Sequence, residues 1–104
     1  MEAPTLVRHD GSYVLFYSAN DYGGDTYATG YAVADRLTGP YRKADEPLLT
    51  SAGSGITGPG GQDVVSGPDG AEHLVVHGWD PAIVYRGVYL LDLGWRDGLP
   101  VVQH

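Results

Sequence analysis

Residues 2–21 and 61–80 align without a gap when the chain is slid along itself by 59 residues. Glu2 falls on Gly61, Asp10-Gly11 on Asp69-Gly70, Leu15 on Leu74, Tyr17 on Val76 and Asp21 on Asp80. The same shift brings Gly39 onto Gly98, with Pro40 and Pro100 one position out of step. A chain repeated in this way is built from one supersecondary unit used twice, so the unit decides the fold. Pro68-Asp69-Gly70 marks a turn: Pro presets φ, Asp bonds its own backbone and Gly supplies φ > 0. Gln62–Ser66 and Leu74–Trp79 flank it with β-branched, apolar and aromatic residues, the composition of two antiparallel strands.

The first copy carries the same punctuation. Ala3–His9 is a strand, Asp10-Gly11 turns it, and Ser12–Ser18 is apolar enough for a strand buried on both faces. Asn20–Thr26 is a Gly- and Asp-rich loop. Tyr27–Asp35 alternates large with small residues, Leu37-Thr38-Gly39-Pro40 turns, and Tyr41–Lys43 forms a short edge. Four neighbouring antiparallel strands in about 43 residues are the size of one propeller blade. The second blade reads as Gln62–Ser66, Glu72–Gly78, Gly87–Leu93 and Val101–Gln103, with Trp95-Arg96-Asp97-Gly98 its last turn. The expected organisation is all-β: a β-propeller fragment of two four-stranded antiparallel blades, residues 1–43 and 61–104, joined by a connection at 44–60 in which Leu48 and Leu49 pack. No amphipathic helix of useful length is present.

Composition narrows the functional classes. Sixteen Gly and seven Pro imply many turns, and eight Tyr and two Trp favour strands. A net charge of −7 opposes binding to nucleic acid or to an anionic membrane surface, and otherwise serves solubility. The absence of cysteine excludes disulfides, thiol catalysis and Cys-based zinc sites. Apolar runs are only a few residues long, too short to span a membrane. Met1-Glu2-Ala3-Pro4 has neither the basic region nor the apolar stretch of a signal peptide. The Gly58-Pro59-Gly60-Gly61 run lacks the Lys-Ser/Thr ending of a phosphate loop.

Seven stretches together resemble one family. They are Glu2-Ala3-Pro4-Thr5-Leu6, the strand Tyr13–Asn20, Thr29–Ala34, Leu37-Thr38-Gly39-Pro40-Tyr41, Gly58–Gln62, His77-Gly78-Trp79-Asp80 and Trp95-Arg96-Asp97-Gly98. In this order they resemble glycoside hydrolase family 43, the five-bladed β-propeller arabinosidases and xylosidases, and specifically the last two blades of that propeller. The resemblance implies inverting hydrolysis of arabinofuranosyl or xylosyl linkages in plant polysaccharides. Such chemistry needs a proton donor for the leaving oxygen and a carboxylate base for water, roughly 6.5–9.5 Å apart. The Glu that opens the Glu-Ala-Pro motif is the family's general acid, which implies that role for Glu2. The family's base, and the third Asp that orients the acid, belong to blades with no counterpart in these residues.

The resemblance also implies the surroundings. If the innermost strand of each blade lines the central channel, Glu2 and Gly61 face it as equivalent positions. The family often carries a His after Gly-Pro-Gly that supports a bound calcium or its waters; Gly61 stands there, so no metal is expected, and no cofactor. His77 matches the His of a similar family strand and is expected to bind substrate. Asn20, Tyr22, Gln62 and Arg86 lie in or beside loops where they could line a sugar pocket, guanidinium and aromatic groups suiting a hydroxyl-rich ligand. His9 and His73 read as surface residues. The expected partners are an oligosaccharide or polysaccharide and further copies of the chain, since two uncovered blade faces favour a dimer of four blades or a trimer of six. The family implies secretion. The alternative is a non-catalytic half-propeller that self-assembles and binds sugar.

Overall fold

A computed structural model describes residues 1–80, 82 and 84–103. The strands are β1 (Glu2–His9), β2 (Ser12–Ala19), β3 (Ala28–Ala34), β4 (Arg42–Lys43), β5 (Thr57–Ser66), β6 (Glu72–Trp79), β7 (Arg86–Arg96) and β8 (Leu99–Gln103). They form two antiparallel four-stranded sheets, ordered β1-β2-β3-β4 and β5-β6-β7-β8. A single helical turn, α1 (Ser51–Ser54), lies in the connection, where the Thr50 side chain accepts a hydrogen bond from Gly53 N–H and caps it. No described helix is long and apolar enough to cross a membrane.

The turns form for the reasons their residues supply. Asp10 and Gly11 both take positive φ (47° and 82°) and join His9 directly to its partner Ser12. That is the backbone twist a two-residue hairpin requires. Asp97 and Gly98 (53° and 79°) do the same between Arg96 and Leu99. At the longer turn the Asp69 carboxylate accepts from Ala71 N–H at 3.0 Å, as an Asx turn should.

Strand β5 starts at Thr57, five residues ahead of the expected Gln62, so the Gly-Pro-Gly-Gly run is strand rather than connection. Two register shifts, between Thr57 and Gly60 and between Gly60 and Asp63, accommodate it. Gly60 is small for packing, not for flexibility: a Cβ there would stand 2.2 Å from the buried ring of Tyr27. Strand β7 likewise extends beyond the expected Gly87–Leu93 at both ends.

The repeat is real in three dimensions but its register is not uniform. β2 and β6 are offset by 60 residues and share their burial phase, Val14 with Leu74 and Phe16 with Val76. The hairpin ends His9 and Ser66 are offset by 57, because two residues turn the first hairpin and five turn the second. Glu2 pairs with Ser18, whose counterpart Gly78 lies between residues paired to Thr57 and Gly60. Glu2 therefore corresponds to Gly58–Pro59, and the expected equivalence with Gly61 is corrected.

The core lies between the sheets. Val14, Phe16 and Leu93 form one buried cluster and Leu49, Ile56, Leu74 and Val76 another, with Leu48, Val64 and Val102 touching both. Each such side chain contributes about 1.5–3 kcal/mol on full burial. Leu49 also exchanges backbone hydrogen bonds with Thr29 at 3.0 Å, so the connection is packed onto the first sheet. The faces turned away from this core keep Leu6, Val65, Val88 and Leu90 exposed. His9 is not a simple surface residue: its ring stacks on Trp95 of the other sheet, centroids 3.9 Å apart and planes 10° from parallel. His73 is half-buried beside Asp92.

Candidate functional site

At the start of β1 the register slips. Thr5 to His9 hold one pairing with β2, but Glu2 meets Ser18 rather than the Ala19 that pairing would give. Ala3 absorbs the slip with φ of 54°, a conformation that costs a non-glycine residue about 1–2 kcal/mol. A bulge of this kind re-aims a side chain. Here it brings the Glu2 carboxylate within 3.2 Å of the Tyr27 hydroxyl, which donates to it from the foot of β3.

Tyr27 is otherwise buried, 2% exposed, and its ring links several groups. His77 stacks on it at 6.3 Å, the Tyr22 ring meets its edge at 6.5 Å, and the Arg86 guanidinium lies 5.3 Å from its centroid. Arg86 Nε donates to His77 Nδ1 at 2.7 Å. Its Nη2 donates to the carbonyls of Gly58 and His77 at 2.6 and 2.8 Å, and its Nη1 to that of Tyr22 at 3.1 Å. Trp79 Nε1 donates to the same Tyr22 carbonyl at 2.9 Å and places its ring beneath the guanidinium. Burial, then the charge of Arg86, lowers the His77 pKa from its ordinary 6.5, and Glu2 opposes the shift. Burial lowers the pKa of Arg86 as well, opposed by Tyr27.

The expected site residues thus separate into two groups. Glu2, Tyr22, His77 and Arg86 come together around Tyr27, a residue read from the sequence only as part of a strand. Its one signal was its position directly after the Gly- and Asp-rich loop. Arg86 was expected to offer its fork to sugar, but its donors are engaged by protein acceptors. Gln62 is 2% exposed and equally engaged. Its Oε1 accepts from Ser18 Oγ at 2.6 Å, its Nε2 donates to the Ala3 carbonyl, and its own carbonyl accepts from Thr5 Oγ1 at 3.0 Å. It ties the two sheets together instead of reaching a pocket. Asn20, at φ 75°, closes the 20–26 loop by donating to the Thr26 carbonyl at 2.9 Å. With Tyr27, Thr50 and Ser51 it lines a cleft of about 420 Å³. A larger open groove of about 710 Å³ between β4 and β8 contains none of these residues.

The family's calcium-supporting position does not fit here. Gly61 offers no donor, and a Cβ at that position would lie 1.9 Å from His77 Nε2. Because Nδ1 of His77 accepts from an arginine, Nε2 carries the proton and has no lone pair to give. Among the described residues no three His, Cys, Asp or Glu side chains gather in a metal-binding arrangement.

Solved structures share this architecture. A thermostable family-43 glycoside hydrolase superposes with a TM-score of 0.89 and 36% identity, over 99% of this chain and 35% of its own. The α-L-arabinanase of Cellvibrio cellulosa, complexed with arabinohexaose, gives 0.81 and 26% over 98% and 36%. The two sheets are two successive blades of a β-propeller. Among curated proteins, extracellular endo-α-(1→5)-L-arabinanase 1 of Bacillus subtilis (strain 168) is 32% identical over 96% of this chain and 33% of its own length. The profile of glycosyl hydrolases family 43 matches residues 1–100, and the chain belongs to that family. It spans about a third of the length of that arabinanase.

Proposed function

We propose that these residues supply the proton donor of an inverting glycoside hydrolase acting on arabinofuranosyl or xylosyl linkages of plant polysaccharides. The observation that supports it is the placement of Glu2: a bulge turns it to the Tyr27 hydroxyl, at the edge of the cluster of Tyr22, His77 and Arg86. In the reaction the Glu2 carboxylic acid gives its proton to the glycosidic oxygen as the bond to the anomeric carbon breaks. A base carboxylate from elsewhere in the ring of blades takes a proton from the water that attacks the opposite face, which inverts the centre. Tyr27 orients the Glu2 carboxyl, and the exposed ring of Tyr22 offers a sugar a stacking surface. The choice of sugars follows the relatives, among them the arabinanase named above and an endo-1,4-β-xylanase of Bacteroides thetaiotaomicron VPI-5482 at 34% identity, TM-score 0.88, over 99% of this chain and 37% of its own.

The test compares the chain with Glu2→Gln on two substrates, an arabino-oligosaccharide and an aryl arabinofuranoside. General-acid catalysis is worth about 10²–10⁴-fold. Glu2→Gln should lose that much on the oligosaccharide and far less on the aryl glycoside, whose leaving group needs little protonation. Unchanged turnover in Glu2→Gln refutes the assignment. The second reading, a half-propeller that binds sugar without hydrolysing it, draws on the exposed apolar faces at Val88 and Leu90. Oligosaccharide binding without turnover of either substrate, by the wild-type sequence within a ring that also carries a base carboxylate, selects it.

A further inference from the structure

Arginine is a donor only and keeps its charge at every accessible pH. The 2.7 Å contact from Arg86 Nε therefore requires a lone pair on His77 Nδ1, and the imidazole proton sits on Nε2. The guanidinium cannot easily turn away. Three carbonyls, of Gly58, His77 and Tyr22, hold its terminal nitrogens, and the rings of Trp79 and Tyr27 flank it. The His77 ring is thereby set in one plane and one tautomer.

Nε2 occupies the space that a side chain at position 61 would need, since a Cβ on Gly61 would stand 1.9 Å from it. The φ of +60° at Gly61 matches that requirement, being cheap for glycine alone. Among the described residues this N–H has no acceptor. The ring also stacks on that of Tyr27, whose hydroxyl holds Glu2. A preset donor without a partner thus stands one aromatic ring away from the carboxylate.

We propose that Arg86 is a positioning residue that locks His77 as its Nε2–H tautomer, and that His77 Nε2–H donates a hydrogen bond to a hydroxyl or ring oxygen of a neutral sugar bound beside Glu2. The sugar in this statement rests on the glycosidase reading; the tautomer does not. Arg86 here shapes the donor without touching the sugar, and Gly61 leaves the ring its room.

The experiment is two-bond ¹H–¹⁵N correlation of the histidine rings in the ¹⁵N-labelled chain, with assignment of His77 by the His77→Gln variant, followed by titration with arabinotriose and with xylotriose. The expected result is a single Nε2–H pattern for His77 at neutral pH, a mixed pattern in Arg86→Met, and a sugar-dependent shift of the Nε2 resonance with either probe. Binding should weaken about tenfold in Arg86→Met, the order of one well-placed hydrogen bond. A mixed or Nδ1–H pattern in the wild-type chain overturns the proposal without recourse to any variant, so a poorly folded Arg86→Met leaves it testable. A locked tautomer that neither sugar perturbs overturns the second half. Should Glu2→Gln leave turnover intact while His77 stays locked and responsive, the acid assignment falls and the His77 assignment stands.

Discussion

Replacing Gln62 by Ala should separate the two blades energetically, because that side chain is the polar pin between them. In the native chain its Oε1 accepts a hydrogen bond from the Ser18 hydroxyl at 2.6 Å and its Nε2 donates to the Ala3 carbonyl. Ser18 is itself fully buried and accepts from Gly61 N–H at 2.8 Å, so it cannot turn to water. Truncation leaves the Ser18 donor without an acceptor, at about 1–3 kcal/mol, and removes the Ala3 partner, at about 1 kcal/mol. The lost side-chain volume adds about 1–2 kcal/mol, by analogy with large-to-small changes in cores. The sum, about 4 kcal/mol, is a large part of the 5–15 kcal/mol typical of a domain. Urea unfolding followed by circular dichroism measures it as a fall in midpoint at unchanged slope. A double-mutant cycle with Ser18→Ala isolates the pair, and a coupling of about 1 kcal/mol or more is expected. A Gln62→Ala cost below about 1 kcal/mol, or additivity with Ser18→Ala, would falsify the pin.

Three further outcomes follow from the geometry. Gly60→Ala drives a methyl to 2.2 Å from the Tyr27 ring, which is too buried to yield, and should cost about 1–3 kcal/mol in the same unfolding assay; a neutral result means Tyr27 is not held as described. His77 has a folded pKa below its ordinary 6.5, so its contribution to stability is complete above that pH and is lost as pH falls towards the lower folded value. The wild-type chain should therefore lose stability between about pH 7 and 5 more steeply than His77→Gln, and parallel stability–pH curves would contradict the partly buried, neutral ring. The exposed Leu6, Val65, Val88 and Leu90 call for cover, and light scattering on a sizing column should report a dimer or trimer of the isolated chain; a monodisperse monomer removes that proposal.

The architecture was legible from short-range chemistry. Asp10-Gly11, Pro68-Asp69-Gly70 and Asp97-Gly98 act through φ and local hydrogen bonds, so their turns, and with them eight strands, follow from neighbouring residues alone. The packing of Leu48 and Leu49 followed from their apolarity in an otherwise polar connection. The Glu-Ala-Pro motif singled out Glu2, whose part in the reaction is the proposal made above. What the tertiary structure decided is what depends on residues far apart. Sliding the sequence at a constant offset could not register the unequal hairpin turns and the bulges, so the counterpart of Glu2 came out wrong. The Gly-Pro-Gly-Gly run reads locally as a linker and becomes strand by pairing with β6, where Gly60 leaves room for Tyr27, some thirty positions away. Gln62 and Arg86 are polar residues beside loops, for which solvent or sugar is the natural guess. Only the approach of Ser18 and Ala3 to the one, and of His77, Gly58 and Tyr22 to the other, turned them inward. Composition and turn chemistry act over a few residues and specify the blades; the partners of a polar side chain are set by which blades meet, and no local pattern encodes that.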